Sequence, residues 1–266
     1  MRIAAKNIQL PPDLEERILR RIYDGFDVSN DILEELFYQT LNELNSAVDE
    51  GLPSPKWVDE NKAFVDALKY NNAVFSAFKT HREQNDLHRL LLDENGKQKD
   101  FARFRRDTEP VIGDYNSNWL KTEYDTAIKN ARTAAQFVDY EQDEDLFPNL
   151  KWLPSSAVEP RAAHMLYYNT IRSLRDGWWK THYPGCLWGC QCDTTSTSDP
   201  ITHQGNMPVA TQVNTAGPAA APGLDHNPYY TKSIFSRTHP YVTDAYLPEK
   251  KLRKLLIPIV KKLLKK

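Results

Sequence analysis

Apolar residues in the first 145 positions recur every three or four residues, the spacing that places them on one face of an α-helix. The first of these stripes starts after Pro12 and stops before Gly25, a residue type that commonly ends helices. Four helices are predicted on this basis, with approximate bounds 13–24, 30–50, 56–78 and 115–138. The N-terminal half of the chain is therefore predicted to be helical.

Beyond residue 149 the helical period gives way to short aromatic runs separated by turn residues. These runs predict strands at 151–153 and 190–194, a short helix at 161–168, and an added strand within 229–241. Residues 194–223 are rich in Thr, Ser, Ala, Pro and Gly and contain almost no large apolar side chain, which is typical of a long mobile loop.

The last predicted element is a helix over 247–266, in which Pro258 is expected to produce a kink or a split. Its apolar positions have helical spacing: Leu252, Leu255, Leu256, Ile259, Val260 and Leu263. Its basic residues are Lys250, Lys251, Arg253, Lys254, Lys261, Lys262, Lys265 and Lys266. The stripe is interpreted as packing on the chain's own domain or docking on a partner protein. Of these two, docking on a partner is preferred. DNA contact and a membrane-surface role are alternatives.

Charge is divided unevenly along the 266 residues. The net charge is −2, and residues 250–266 carry eight basic residues and no acid, so residues 1–249 sum to −10. An acidic body thus ends in a basic tail that would attract polyanions. No apolar run reaches the roughly 18 residues of a membrane span, and the N-terminus lacks the apolar region of a secretory signal.

Apolar residues make up 40% of the chain and charged residues 26%, which is typical of a folded, soluble protein. The expected fold is α+β, with a helical N-terminal half packed on a small aromatic- and Cys-rich α/β module and a basic amphipathic helix at the C-terminus. Four segments are expected: an N-terminal helical arm at 1–54, a helical region at 55–148, the α/β module at 149–245 with its loop at 194–223, and the tail helix at 246–266.

All three cysteines and four of the six tryptophans lie between residues 151 and 193. Converging thiolate and imidazole groups suit zinc, and the candidate ligands are His164, His182, Cys186, Cys190 and Cys192. Cys190 and Cys192 are also spaced to share one face of a strand, where free cysteines pack as small apolar residues. Buried cysteines without a metal are the preferred interpretation; a metal site and, less favoured, a disulfide are alternatives.

Signs of catalysis are weak. The chain has no Gly-rich phosphate loop, no His-Glu-x2-His and no Gly-x-Ser-x-Gly. Cys190 or Cys192 paired with His164 would provide a nucleophile and a base, but no third residue is placed to orient the imidazole. We therefore predict no catalytic residues, no enzymatic activity and no required cofactor.

The order of residues in this stretch resembles the signature of the phage Mu F-like minor head (head morphogenesis) proteins. That family typically shows Asp-x-Arg-x-Arg-x2-His, then Phe-Trp-x-Thr-x-Tyr-Pro-Pro, then Trp-x-Cys-Arg-Cys. The matching residues here are Arg161, His164, Trp179, Tyr183, Pro184, Trp188, Cys190 and Cys192. Weaker likenesses lie upstream, at 75–80, 93–97 and 115–124, and downstream, at 234–235 and 239–241, so that the resemblance covers about 55–245.

Some positions depart from the family pattern. Glu159 replaces the aspartate, and Ala162-Ala163 lacks the second basic residue. Gly185 takes the place of the second proline, and Gln191 that of the arginine between the cysteines. A role that needs that arginine is disfavoured, whereas a structural role of the motif is unaffected.

The resemblance implies a structural minor head protein of a tailed phage or prophage, held inside the capsid near the portal and assisting head morphogenesis and DNA packaging or ejection. The implied partners are the portal protein, capsid or scaffold proteins, and packaged DNA through the tail. The implied location is the virion head interior, and the host cytoplasm during assembly. A metal-binding or Cys/His enzyme or toxin-associated module, and a DNA-binding protein that uses the lysine-rich tail, are the alternatives.

Overall fold

The computed structural model describes residues 8–202 and 220–266 and has the expected α+β fold, with many helices and one small antiparallel sheet. The helices are α1 Pro12–Tyr23, α2 Glu34–Gly51, α3 Pro55–Glu60, α4 Lys62–His88, α5 Phe101–Gly113, α6 Leu120–Gln142, α7 Ala162–Met165, α8 Pro228–Thr231, α9 Pro240–Thr243 and α10 Glu249–Leu263. A π-helix spans Asp114–Trp119 and a 3₁₀-helix spans Gly177–Lys180. The strands are β1 Asn149–Leu153, β2 Ile171–Ser173 and β3 Asp193–Thr197.

The predicted helices of the N-terminal half are confirmed, with changed bounds. The helix predicted from residue 56 is two helices, α3 and α4, because the chain turns at Asn61. The long helix predicted from residue 115 begins as the π-helix and becomes α6 only at Leu120. The apolar stripe that predicted this helix starts at Leu120 and lies in α6, so periodicity did not reveal the change of helix type before it.

Three details of the C-terminal half differ from the prediction. The strand expected at 190–194 is β3, which lies three residues farther along and takes the first residues of the expected loop. No strand forms within 229–241; the described residues there contain α8 and the start of α9, opened by Pro228 and Pro240. The remainder of the loop predicted at 194–223 falls mainly on 203–219, which lie outside the described residues.

Contacts between Cα atoms divide the chain into two compact units. Unit 1 contains Met1–Ala47, Lys69–Asp125 and Pro240–Lys266, and unit 2 contains Val48–Leu68 and Thr126–His239. The division is interleaved along the chain, so α2, α4 and α6 contribute residues to both units. The four consecutive segments expected from the sequence were defined by residue composition, whereas the two units are defined by contacts. The four segments stay a prediction.

The tail helix α10 belongs to unit 1 and is covered by it. Four residues of its apolar stripe are buried: Leu252, Leu256, Val260 and Leu263. The Tyr38 hydroxyl of α2 donates to the Leu263 carbonyl oxygen at 3.0 Å, and the Arg253 guanidinium lies 5.5 Å from the centre of the Phe78 ring of α4. Packing on the chain's own domain is thus the outcome, and the preferred docking of this stripe on a partner is wrong, because its buried residues are already covered.

The helix α10 is not split at Pro258 and runs unbroken from Glu249 to Leu263. Pro258 is exposed, so the backbone hydrogen bond that its missing N–H removes lies on the outer side of the helix. Among the described residues, none of the helices combines the length and the apolar character that crossing a bilayer requires.

Unit 1 also contains a buried polar network built on α4. The Lys79 ammonium lies 2.5 Å from a Glu123 carboxylate oxygen, and the Tyr241 hydroxyl donates to the other oxygen of Glu123 at 2.8 Å. On the next turn of α4, Glu83 accepts a hydrogen bond of 2.5 Å from the Asn116 amide of the π-helix. The π-helix therefore positions a side chain that a regular helix would place elsewhere on its surface.

Candidate metal centre

The sheet of unit 2 supplies the base of the candidate site. Strand β1 lies between β2 and β3, pairs antiparallel with both, and buries Leu150 and Trp152 completely. The Trp152 ring meets the His164 ring edge to face, with centroids 5.8 Å apart, and lies 5.3 Å from the Tyr167 ring. An aromatic layer on the sheet thus encloses the histidine side chain.

His164 is brought to this layer by the short helix α7, which begins after Arg161 in extended conformation. Its side chain is buried, with 2% of its surface exposed. Each nitrogen of a buried imidazole requires a hydrogen-bonding or ligand partner. In this protein the partners of both nitrogens are cysteine sulfurs.

The three cysteines reach His164 through a tight turn. Gly189 has a φ of +68°, a conformation that favours glycine, and the Cys190 amide donates to the Leu187 carbonyl oxygen at 3.1 Å. This turn places Cys186 and Cys190 on different sides of the same ring. Gly185 opens the segment with a φ of +113°, and a Cβ atom there would lie 2.5 Å from the Asn130 side-chain oxygen. The glycine found where the resembling family has a proline is therefore required by this backbone.

Two sulfurs converge on one nitrogen of His164. The Cys190 Sγ and the Cys192 Sγ each lie 3.5 Å from Nδ1, and the Cys186 Sγ lies 3.5 Å from Nε2. A neutral imidazole nitrogen with one lone pair accepts one thiol hydrogen bond well, so the second sulfur at Nδ1 is in excess of what hydrogen bonding needs. Nδ1 and the two sulfurs lie within 4.8 Å of one another, and this group could hold a metal ion.

The distances also fit the geometry of zinc. Bond lengths of about 2.3 Å to sulfur and about 2.05 Å to nitrogen, at the tetrahedral angle, place the two ligand atoms roughly 3.6 Å apart. The observed separation is 3.5 Å for both cysteines of the group. Cys186 faces the other nitrogen and is not in this group.

The thiols differ in acidity. Cys192 donates a hydrogen bond to the Cys190 sulfur, and this bond, together with His164, lowers the pKa of Cys190 although burial opposes the change. The same bond raises the pKa of Cys192, because its proton is held in it. Burial raises the pKa of Cys186 to about 12. Cys190 is therefore the most acidic thiol of the set, and thiolate is the form that binds a metal.

His182, the second predicted histidine ligand, lies elsewhere in the module. Its ring stacks on the Trp178 ring with centroids 4.4 Å apart and meets the Tyr167 ring at 5.7 Å. Its Nδ1 lies 3.2 Å from the Trp178 carbonyl oxygen and 2.9 Å from the Thr181 hydroxyl. The structure thus brings together four of the five predicted ligands, the His164 ring and the three cysteines around it. It places the fifth, His182, in the aromatic layer.

The other signature residues hold the module together. The Trp179 indole donates to the Ser173 carbonyl oxygen at 3.0 Å, and the Tyr183 hydroxyl lies 3.2 Å from the Thr194 hydroxyl of β3. Arg161 donates to the Trp188 carbonyl oxygen at 2.5 Å. Pro184 is buried between Tyr183 and the cysteine segment.

Two residues of the weaker downstream likeness and one residue outside the motifs complete this arrangement. Phe235 stacks on Trp188 with centroids 6.0 Å apart, and the His239 ring meets Trp188 at 5.7 Å. Asn130 of α6 donates to the Ile234 carbonyl oxygen at 3.0 Å. Sequence reasoning missed Asn130, although a signal was present: it is a polar residue on the apolar face of the predicted helix, three residues after Ala127.

The predicted tail residues lie on or just after α10, in unit 1, and have no part in this site. Comparison of the chain with protein-family models, with curated proteins and with solved structures gives no match. The functional interpretation therefore depends on the residues and their geometry.

Proposed function

We propose that this chain is a structural minor head protein of a tailed phage or prophage, held inside the capsid near the portal and acting in head morphogenesis and in DNA packaging or ejection. The proposal starts from the resemblance to the Mu F-like family. What supports it most is that motifs distant in the chain, grouped by that resemblance alone, touch one another within each unit.

In unit 2 the contact joins the motif that contains Cys190 and Cys192 to the downstream likeness at 234–235 and 239–241. This downstream likeness is called the closing motif below. Trp188 lies two residues before Cys190, and it stacks on Phe235, almost fifty positions later in the chain. Arg161 of the first motif donates to the backbone of the same tryptophan. Residues from three separate motifs thus form one packed set, as expected if they are parts of a single signature.

In unit 1 the contact joins two of the three upstream likenesses. Lys79 belongs to the likeness at 75–80 and Glu123 to that at 115–124, and they form a fully buried ion pair at 2.5 Å. Tyr241 of the closing motif donates to the same glutamate. A buried charge is costly unless it is paired, so these residue types depend on one another.

We further propose that the Cys/His cluster is a structural zinc site without catalytic activity. His164 Nδ1, Cys190 Sγ and Cys192 Sγ would be three of the four ligands of a tetrahedral zinc ion. Nε2 would then carry the ring proton and donate a hydrogen bond to the Cys186 sulfur. This hydrogen bond would fix the tautomer of the ligand. The aromatic layer leaves the imidazole 2% exposed, an environment that suits a folding role better than turnover.

The proposed function is tested by binding to the portal protein encoded in the same phage or prophage genome. The two proteins are co-expressed and separated by size-exclusion chromatography, with the portal protein of an unrelated phage as the control. We expect a complex with the cognate portal protein alone. No complex, or equal binding to both portal proteins, would contradict the proposal.

A further inference from the structure

The outer face of α10 carries a line of lysines opposite its buried stripe. At 100° per residue, Lys250, Lys254 and Lys261 fall on one side of the helix, Lys265 follows just after its last residue Leu263, and all four are exposed. At about 1.5 Å per residue the line is roughly 22 Å long. Lys262 and Lys266 flank it, and Lys266 pairs with Glu34 at 2.6 Å. This line is called the lysine face below.

The C-terminal part of the lysine face is concave. Pro258, Lys261, Lys262, Lys265 and Lys266 line an open depression of about 450 Å³. Lys266 is paired with Glu34, and the other three lysines around the depression concentrate positive potential there, so that the surface attracts an anion.

The covered stripe of α10 decides between the kinds of partner that a basic amphipathic helix can have. A bilayer surface or a hydrophobic groove on another protein would have to take up the apolar side of the helix. Leu252, Leu256 and Val260 are fully buried in unit 1, so that side is not available. The lysine face is the side that a partner can reach.

The composition of the face favours nucleic acid over protein. Lysine is depleted in protein–protein interfaces, which are built on aromatic and arginine anchors, whereas contacts to a phosphate backbone need only placed cations. Residues 250–266 contain no aromatic side chain and no acid. A line of point charges without an aromatic anchor matches a regular row of phosphates.

We infer that the lysine face of α10 binds the phosphate backbone of duplex DNA without sequence preference. The inference depends on the charge arrangement and the covered stripe, and it holds whether or not the chain is a phage head protein. Four contacts would give a slope of log K against log[salt] of about −3.6, because each neutralised phosphate contributes about 0.9.

The test is a salt titration of binding by the full-length chain to a fluorescent duplex of about 20 base pairs, a length well beyond the roughly 22 Å of the lysine face. The triple variant Lys254→Gln, Lys261→Gln, Lys265→Gln is compared with a control, Lys56→Gln, Lys62→Gln, Lys97→Gln. All three control lysines are exposed, and both variants change the net charge from −2 to −5. Thermal melts establish that both variants remain folded.

The expected result is a salt slope that becomes shallower by about 2.7 in the lysine-face variant and stays near that of the parent chain in the control. Equal slopes for the two variants would overturn the inference, and so would a parent slope near zero. A second titration replaces DNA by polyglutamate at equal charge. Binding to polyglutamate as tight as to DNA would assign the face to an acidic protein and would also overturn the inference.

Discussion

At the scale of single residues, the feature with most consequence is that the two ring nitrogens of His164 have different cysteine partners. Two cysteines share Nδ1 and the third lies at Nε2, so the three thiols are not equivalent. Spacing in the sequence indicated that cysteine and histidine would converge, but it gave no means to separate a ligand from a residue that orients one. That distinction depends on the turn at Gly189, whose positive φ is a property of the folded backbone.

The first prediction compares Cys192→Ser with Cys186→Ser. Elemental analysis should find about one zinc per chain in the parent and in Cys186→Ser, and little zinc in Cys192→Ser. The reason is that serine replaces a zinc ligand only in Cys192→Ser. Loss of the site should destabilise by about 2 kcal/mol or more, a fall in melting temperature of at least roughly 4 °C for a domain of this size. Equal zinc content in the two variants, or no zinc in the parent, would show that the ligand set is wrong.

The second prediction concerns Glu83, a fully buried carboxyl group in the network of unit 1. Burial raises its pKa to about 7, against an ordinary value of 4.5. Between these pH values the folded chain holds a proton that the unfolded chain loses, so the contribution of Glu83 to stability is greatest below about pH 4.5 and falls as the pH rises towards 7. By linkage the loss is on the order of 3 kcal/mol.

Glu83→Gln removes this titration and keeps the oxygen that accepts from Asn116. We expect the variant to gain stability over the parent at pH 8 and to gain little at pH 4.5, as measured by urea unfolding. Glu94→Gln, an exposed site, is the control and should follow the parent at both pH values. A constant difference between Glu83→Gln and the parent across this range would refute a raised pKa.

At the scale of elements, apolar periodicity predicted what depends on one helix or strand alone. The stripe of α1 and that of α10 are both buried as their spacing required. Periodicity did not predict the π-helix, because 114–119 contain only two apolar residues, Tyr115 and Trp119, which are too few to define a helical period. It also gave α10 a stripe but could not say that unit 1, rather than a partner, covers it.

The third prediction uses two leucines of the tail. Leu256 is fully buried and Leu264 is 46% exposed. Leu256→Glu places a carboxylate in an apolar environment and should destabilise the chain by more than about 3 kcal/mol, whereas Leu264→Glu should change stability by less than about 0.5 kcal/mol. Chemical denaturation measures both. Similar values for the two variants would mean that the stripe is not covered in solution.

At the scale of the whole molecule, composition and resemblance allowed the fold class and the membership of the site to be predicted, but not the division into units. Each unit combines segments that are far apart in the chain, and such long-range pairing leaves no local signal. His182 illustrates the same limit for the site. Its residue type fits a ligand, and only the stacking on Trp178 shows that it belongs to the aromatic layer.

The central claim is that this chain is a structural component of a phage head. Quantitative mass spectrometry of purified procapsids and mature heads, from the phage or induced prophage that encodes it, tests that claim directly. We predict that the chain is present in both particles, in far fewer copies than the major capsid protein, and that it is protected from added protease until the heads are opened. Its absence from both particles, with the chain recovered only in the soluble lysate, would contradict the account.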